Sequence, residues 1–349
     1  MTFPPPRSID LGDLVVHPLW FDSLGAKASA LLVETPDLRI LVDPGAAEMQ
    51  PSFPLSPEER KRLREEALRT IRQAASKADL VFISHYHYDH HTLPLEAPDL
   101  YMGKDLWIKD PNRFINRSQW ERARLFYGQI CHLHDLAFEE FVGPAGTVEA
   151  DLSRWPTRRR KDREWMKGLL ELWGRGPWLE EGEIGSLRIH FADGRTLKKG
   201  RTLLRFTEPL FHGGEYDRVG WVVALVVEVG GGKLLYSSDI QGPVIEAYAR
   251  WIVKERPDFL VLDGPPTYLL GYLFGQRDLD RAVSNAEAIV RQLEGTLVLY
   301  DHHLPRDPRF RERTRRVWEA ARREGRALYT CAEWFGREPL VLELTKDSP

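Results

Sequence analysis

Apolar positions along this chain come in short blocks whose spacing switches between strand-like alternation and helical periodicity. Near the N-terminus two β-rich runs, 29–34 and 38–42, flank Thr35-Pro36-Asp37, which predicts a hairpin-like pair ended by the turn Asp43-Pro44-Gly45. Ser56-Pro57-Glu58-Glu59 then supplies an N-cap, a proline at the first helical position and a glutamate three residues on. Leu63, Ala67, Ile71 and Ala74 follow at helical spacing, with Arg and Glu on the opposite face. The apolar run over 79–84 predicts a buried strand, so residues 85–91 fall on the loop at its carboxyl end, where open α/β folds place chemistry.

The second half repeats that logic. A long apolar strand is predicted over 221–229, turned by Gly230-Gly231-Gly232 into a return strand that ends at Ser238-Asp239. A helix over 244–255 stops before Pro257, and strand 259–263 runs into Gly264-Pro265-Pro266. Helix 279–293 ends near Gly295, and strand 296–300 delivers Asp301-His302-His303. A last helix near 308–324 and short strands over 326–330 and 340–344 close the pattern. Interleaved strands and helices make the fold class α/β with mixed sheets.

Residues 103–185 read differently. Ser118-Gln119-Trp120-Glu121 predicts a capped helix running to about Tyr127. The stretch over 157–173 carries Arg158, Arg159, Arg160, Lys161, Arg163 and Lys167, with Trp155, Trp165, Trp173 and Trp178 interleaved. Basic plus aromatic composition points to an anion or nucleic-acid surface. Trp165, Leu169, Leu172 and Trp173 lie one helical face apart, so the favoured reading is an amphipathic helix docking its apolar side. The two readings are compatible, because one helix can pack on one face and meet a substrate on the other.

Composition narrows the class. A chain of 349 residues can bury a large core, in one large domain or equally in two, and 42% hydrophobic with 29% charged residues is ordinary for a globular protein. A net charge of -3 gives no global pull toward nucleic acid. Cys131 and Cys331 sit in no Cys-x-x-Cys motif, which argues against a disulfide framework or thiolate metal site and fits a reducing compartment. No apolar run approaches a membrane span, and Met1–Arg7 shows no signal core, so a cytoplasmic location and no membrane partner are expected.

The candidate chemistry is concentrated. His85-Tyr86-His87-Tyr88-Asp89-His90-His91 places four of the chain's 11 histidines and an aspartate in seven consecutive residues. Imidazole and carboxylate are the ligands a divalent transition metal such as zinc prefers. His85 and His87 alternate outward from a strand end toward one metal position, and Asp89 with His90 points toward a second. Two ions about 3.5–4 Å apart suit a hydrolase, but need more ligands than one loop supplies. Further candidates stand at the ends of strand-like runs: His212, Asp239, and His302 or His303. Taken singly each has a plainer role, Asp239 as a helix cap or His302 as a surface loop residue.

The order His-x-His-x-Asp-His, a lone His, an Asp after a strand and a final His resembles the metallo-β-lactamase superfamily. The segments 33–45, 83–92, 115–119, 237–243, 264–268 and 301–307 resemble most an uncharacterised microbial group of predicted metal-dependent hydrolases within it. The resemblance implies a single domain over 1–349, a four-layer αβ/βα sandwich with a dinuclear site along one edge. Residues 128–183 look like a helical insertion or cap to which nothing transfers. It further implies His85, His87 and His212 on one metal, Asp89, His90 and a C-terminal His on the other, and Asp239 bridging. His302 is favoured over His303 for that place, leaving His303 beside the ligands or as proton donor to a leaving group. His91 is expected to support the ligands, Asp43 to brace the loop by hydrogen bonds, and Asp89 also to orient the attacking hydroxide. Tyr268 is a candidate substrate contact, or a core tyrosine in a proline-stiffened turn. The expected cofactors are two divalent ions, zinc first, with manganese or iron as alternatives.

The reaction class expected is hydrolysis of a small or phosphorylated substrate, with phosphoesters and phosphodiesters ahead of lactones and thioesters. An iron-dependent sulfur dioxygenase shares the histidine pattern and stands as the alternative, with a non-catalytic metal-bound module behind it.

Overall fold

The computed structural model describes residues 7–148 and 156–346; residues 1–6 and Trp155 lie outside the described residues. Two sheets carry the architecture. The first has eight strands in the order Ile9–Leu11, Leu14–Phe21, Ser29–Glu34, Arg39–Val42, Leu80–Ile83, Asp105–Ile108, Leu187–Phe191, Gly182–Ile184. The second has seven, in the order Thr196–Lys199, Thr202–Phe206, Leu225–Val229, Gly232–Tyr236, Phe259–Asp263, Leu297–Asp301, Ala327–Tyr329. Each begins as an antiparallel meander and becomes parallel where helices intervene.

Strand parity shows how the layers stack. Leu225, Val227, Leu234, Tyr236, Phe259, Val261 and Leu299 join the core shared with the first sheet. Their alternates Val226, Leu235, Leu260, Leu262, Val298 and Tyr300 face the other way, into a second core with the helices Glu246–Glu255, Gln276–Gln292 and Arg315–Arg323. Successive side chains on a strand point to opposite faces, so a strand apolar at every position is buried on both. On the outer face of the first sheet, helix Pro57–Ala75 buries Leu63, Ala67, Leu68 and Ile71. The result is the helix–sheet–sheet–helix sandwich expected. Its predicted capping box is present, Ser56 accepting from Glu59 N at 3.2 Å and Glu59 accepting from Ser56 N at 3.1 Å. Among the described residues no helix is long and apolar enough to cross a membrane.

Several boundaries differ from the pattern. The strand expected over 221–229 breaks after Val222, because Val223 N turns to Ser84 O (3.0 Å) and Ala224 N to Thr207 Oγ1 (3.0 Å). The strand expected over 340–344 is helix Leu340–Thr345, whose Leu340 fills the space left by the bare backbone of Gly25. The last helix breaks at Thr314, whose hydroxyl donates to Phe310 O (2.7 Å) and accepts from Trp318 Nε1 (2.9 Å). Helix Arg117–Leu133 is capped by Asn116 rather than Ser118, through Gln119 N at 2.8 Å, and runs six residues beyond Tyr127.

The Trp- and Arg-rich stretch forms helix Arg160–Arg175, with Met166, Leu169 and Trp173 buried. Trp165 stacks on Trp221 with centroids 5.3 Å apart and planes 4° apart, and Trp173 Nε1 donates to Ile115 O at 2.9 Å. Packing therefore accounts for its aromatic face. Trp173→Ala should destabilise the protein by about 3–5 kcal/mol. Hydrogen exchange should rise first over 160–175; a rise spread evenly over both sheets would show that this helix is not a separate packing unit.

Candidate metal centre

The carboxyl ends of the parallel strands in both sheets converge on one edge of the sandwich. Strand Arg39–Val42 ends in Asp43, Leu80–Ile83 runs into Ser84 and His85, and Gly232–Tyr236 leads to Asp239. Phe259–Asp263 ends in Asp263, and Leu297–Asp301 delivers His302 and His303. His212 follows the short strand Leu210–Phe211. All of these side chains are buried.

Asp239 lies at the centre. Its Oδ2 is 3.1 Å from His90 Nε2, 3.3 Å from His212 Nε2, 3.5 Å from His85 Nε2 and 3.7 Å from His303 Nε2. His302 Nε2 is 3.5 Å from its Oδ1. Neither oxygen accepts a hydrogen bond from the described residues, and His212 Nε2 is likewise without one. A buried carboxylate left this way is costly unless a cation meets it.

The other ring nitrogens explain why. His90 Nδ1 is held by Asp43 (2.7 Å), His302 Nδ1 by Asp22 (3.1 Å) and His303 Nδ1 by Asp263 (2.8 Å). His85 Nδ1 meets Ser84 Oγ at 3.1 Å, and His212 Nδ1 meets Gln241 Nε2 at 3.3 Å. An imidazole that gives its Nδ1 proton to a carboxylate presents a lone pair at Nε2. His90 and His302 thus aim two lone pairs at one point, their Nε2 atoms 3.1 Å apart. Tetrahedral zinc with bonds of about 2.0–2.1 Å separates its donor atoms by about 3.3 Å, close to the spacings here. The donors form three overlapping groups, each within 4.8 Å: His85, His87, His212 and Asp239; Asp89, His90 and His302; and Asp239, His302 and His303. The residues present fit divalent metal binding.

Electrostatics of the protein alone give the same answer. Burial opposes charge on His90, yet Asp239 and Asp43 push its pKa up to about 10. Burial also opposes charge on His302, and Asp22 with Asp239 overcomes it. Burial and adjacent imidazoles hold His85 and His87 well below the usual histidine value. Burial works to raise Asp239, but His90, His302 and His303 hold it well below the carboxylate range. The acids around His90 and His302 thus favour positive charge at the point where a metal ion would supply it on binding.

Asp43 braces the whole loop. Its carboxylate accepts from Ser84 N (2.7 Å), Ser84 Oγ (2.5 Å) and Tyr236 OH (2.6 Å) besides His90. Gly45 lies directly against the backbone of residues 89–91, where any Cβ would collide. His91, packed against Tyr86, Tyr88 and Phe126, meets His87 O through Nδ1 at 2.9 Å, and burial lowers its pKa to about 4. Tyr268 stands beside Arg306, its hydroxyl 3.4 Å from Nη1.

All seven residues expected as ligands are brought together, and His303 stands with them. Sequence reasoning missed three partners. Asp22, in a one-turn segment after strand Leu14–Phe21, accepts from His303 N (2.8 Å) and Ala28 N (3.0 Å), and from Arg306. Asp263 receives Gln241 N at 2.7 Å besides His303. Arg306 donates to Asp89 Oδ2 at 2.9 Å and lies 3.2 Å from His302 Nε2. The signal for Asp263 was an acid at the carboxyl end of a buried strand; Asp22, more than 60 residues from the nearest ligand histidine, offered none.

A profile of the metallo-beta-lactamase superfamily matches residues 25–91. The UPF0282 protein of Methanopyrus kandleri is 35% identical over 343 residues, 95% of this chain and 97% of that relative. The UPF0282 protein of Korarchaeum cryptofilum is 33% identical over 329 residues, 94% of this chain and 91% of that one. Among solved structures, the metallo-beta-lactamase fold protein YhfI from Bacillus subtilis aligns with a TM-score of 0.43 at 13% identity, covering 91% of this chain and 96% of that one. The chain belongs to the UPF0282 family of proteins, within the metallo-β-lactamase superfamily.

Proposed function

We propose that this protein is a hydrolase that uses two divalent ions, zinc in the first instance, to cleave phosphoesters or phosphodiesters. Members of the superfamily are usually metal-dependent hydrolases. The observation that carries the reading is the Asp239 carboxylate, ringed by five imidazoles and accepting no hydrogen bond from the described residues. His85, His87, His212 and Asp239 would hold one ion, and Asp89, His90, His302 and Asp239 the other. Bound there, the ions would supply Lewis acidity and a hydroxide at neutral pH.

The chain's own groups complete the chemistry. Burial and the Asp239 charge push Asp263 well above the carboxylate range, while burial, Arg306 and His302 hold His303 well below the histidine one. The pair therefore shares one proton along its 2.8 Å contact. His303, with Nε2 3.7 Å from Asp239 Oδ2, can deliver its Nε2 proton to a departing oxygen as the Asp263 carboxyl proton passes to Nδ1 across the 2.8 Å contact. Asp89, half-buried and bonded to Arg306, would orient the nucleophile. The Arg306 guanidinium, bonded to both Asp22 and Asp89 and 3.4 Å from the Tyr268 hydroxyl, would place hydrogen-bond donors beside the phosphoryl oxygens.

Metal analysis is the first test. Protein purified without added metal, or dialysed against zinc or manganese, should hold about two equivalents; less than one, with no uptake, removes the dinuclear reading. His85→Ala and Asp239→Ala should each lose metal uptake and hydrolysis of bis(p-nitrophenyl) phosphate while keeping the far-UV circular dichroism of the parent. Iron as the bound metal, with oxygen consumption on a persulfide, would favour dioxygenase chemistry instead.

A second test concerns the proton. Asp263→Asn should lower kcat on an alkyl phosphodiester by about two orders of magnitude with little change in KM. A p-nitrophenyl ester, whose leaving group needs no proton, should suffer far less. Equal losses on both esters would reduce Asp263 to a structural residue.

A further inference from the structure

A cleft of about 510 Å³ lies behind the turn that follows His212. Its walls are the N-terminal turn of helix Arg160–Arg175, the loop over 214–218 and the N-terminal turn of helix Gln276–Gln292. Arg159, Lys161, Arg218, Arg277 and Arg281 all line it. The chain links the cleft to the metal centre: His212 Nε2 faces Asp239, and two residues later Gly214 stands in the cleft wall.

The acids of the cleft are already engaged. Asp162 accepts from Thr157 Oγ1 (2.8 Å) and Arg159 Nε (2.6 Å), and Glu215 is bidentate to Arg281 at 2.9 and 2.7 Å. Asp278 lies 3.5 Å from Arg281, and Asp217 folds onto its own loop, accepting from Val219 N at 3.1 Å. Lys161 and Arg277 are left with no carboxylate partner among the described residues. Arg218 is fixed in place, stacked 4.7 Å from the Trp165 ring and donating to Lys161 O at 3.0 Å, so little freedom is lost when it meets an anion. Arg160, by contrast, pairs with Glu164 at 2.6 Å and does not line the cleft.

We propose that this cleft binds a second phosphate group of the substrate, one that is not cleaved, so that the preferred substrate carries at least two. The proposal rests on the hydrolase reading and names its substrate class. The volume exceeds a lone phosphate and suits a phosphate with its attached sugar-sized body. Lys161 and Arg277 supply unspent positive charge, and Arg218 a preordered guanidinium.

Binding of 3′-fluorescein-labelled, 5′-phosphorylated dithymidylate to the full-length protein, followed by anisotropy, tests it. The double variant Lys161→Ala, Arg277→Ala, both at exposed positions, should weaken binding about tenfold at low salt, with the gap closing as salt rises. Arg160→Ala should bind as the parent does. Inorganic tripolyphosphate should compete, and unphosphorylated thymidine should not. Equal weakening by Arg160→Ala, or unchanged binding by the double variant, would overturn the cleft assignment, as would competition by thymidine. Because the readout is binding, a protein that binds as described but hydrolyses no phosphoester refutes the hydrolase reading alone. An active phosphodiesterase whose binding ignores the double substitution refutes the cleft alone.

Discussion

A carboxylate buried between two sheets, whose oxygens accept no hydrogen bond from the described residues, is the constraint around which this molecule is arranged. Asp239 stands where the carboxyl ends of the parallel strands converge, and the imidazoles around it are each steered by a group anchored in one sheet or its loops. Asp43 does so from the first sheet and is itself held by Tyr236 of the second. Ser238 donates to Ser84 at 2.8 Å across the same seam. Asp301 accepts from Ser23 N at 3.1 Å and Cys331 N at 2.8 Å, tying the second sheet to the segment after the first sheet's second strand. The hydrogen bonds that orient the ligands are therefore also the ones that fix the two sheets relative to each other. A metal bound there would stabilise the fold as well as the chemistry, because an ion that binds only the folded state shifts the folding equilibrium toward it.

Backbone strain is concentrated in the same place. Of the nine described non-glycine residues with positive φ, Asp43, Ser238, Gln241, His302 and His303 belong to the loops that build the centre. Such conformations cost of order 1–3 kcal/mol each and persist where surrounding bonds enforce them. At His302 and His303 the enforcing bonds are visible. His302 N donates to Asp301 (2.8 Å), His303 N donates to Asp22 (2.8 Å), and both rings are tied by carboxylates. Two consecutive left-handed residues swing neighbouring side chains toward one point, which a regular strand, alternating its faces, would not do. The strain is thus what lets His302 face His90 while His303 turns to Asp263.

Much of this was legible in the sequence, and the limits have physical causes. The His85–His91 cluster, the capped helix before it and the buried strands announce themselves because each is a local pattern: a ligand spacing, a capping box, an unbroken apolar run. The breaks after Val222 and at Thr314 did not show, since each is imposed by a partner distant in sequence or by a side chain bonding its own helix. The segment over 340–344 reads as β-rich, but it forms a helix whose Leu340 packs against Gly25. Asp22 and Asp263 are the sharpest case. They are single acids without neighbouring histidines, and only the convergence of strand ends makes them ring anchors. The basic run at 158–163 also needed the fold to sort it, because Arg160 and Arg163 spend their charge on the helix itself while Arg159 and Lys161 face a cleft.

The two halves of the centre are not equivalent, and the asymmetry follows from Arg306. The group of His85, His87, His212 and Asp239 contains four donors with no cationic side chain among them. The group of Asp89, His90 and His302 already has a guanidinium bonded to Asp89 and 3.2 Å from His302 Nε2. A cation entering the second position must share Asp89 with Arg306, whose own tether to Asp22 is buried and charge-assisted. Like charges at such range oppose each other, so if two ions bind as proposed, the first position would be the stronger and the second the more exchangeable. Arg306 in turn is the cation that remains when the second ion is absent, which keeps Asp89 ionised and in place. On that reading the guanidinium would preserve the shape of the weaker position while lowering its affinity for a cation.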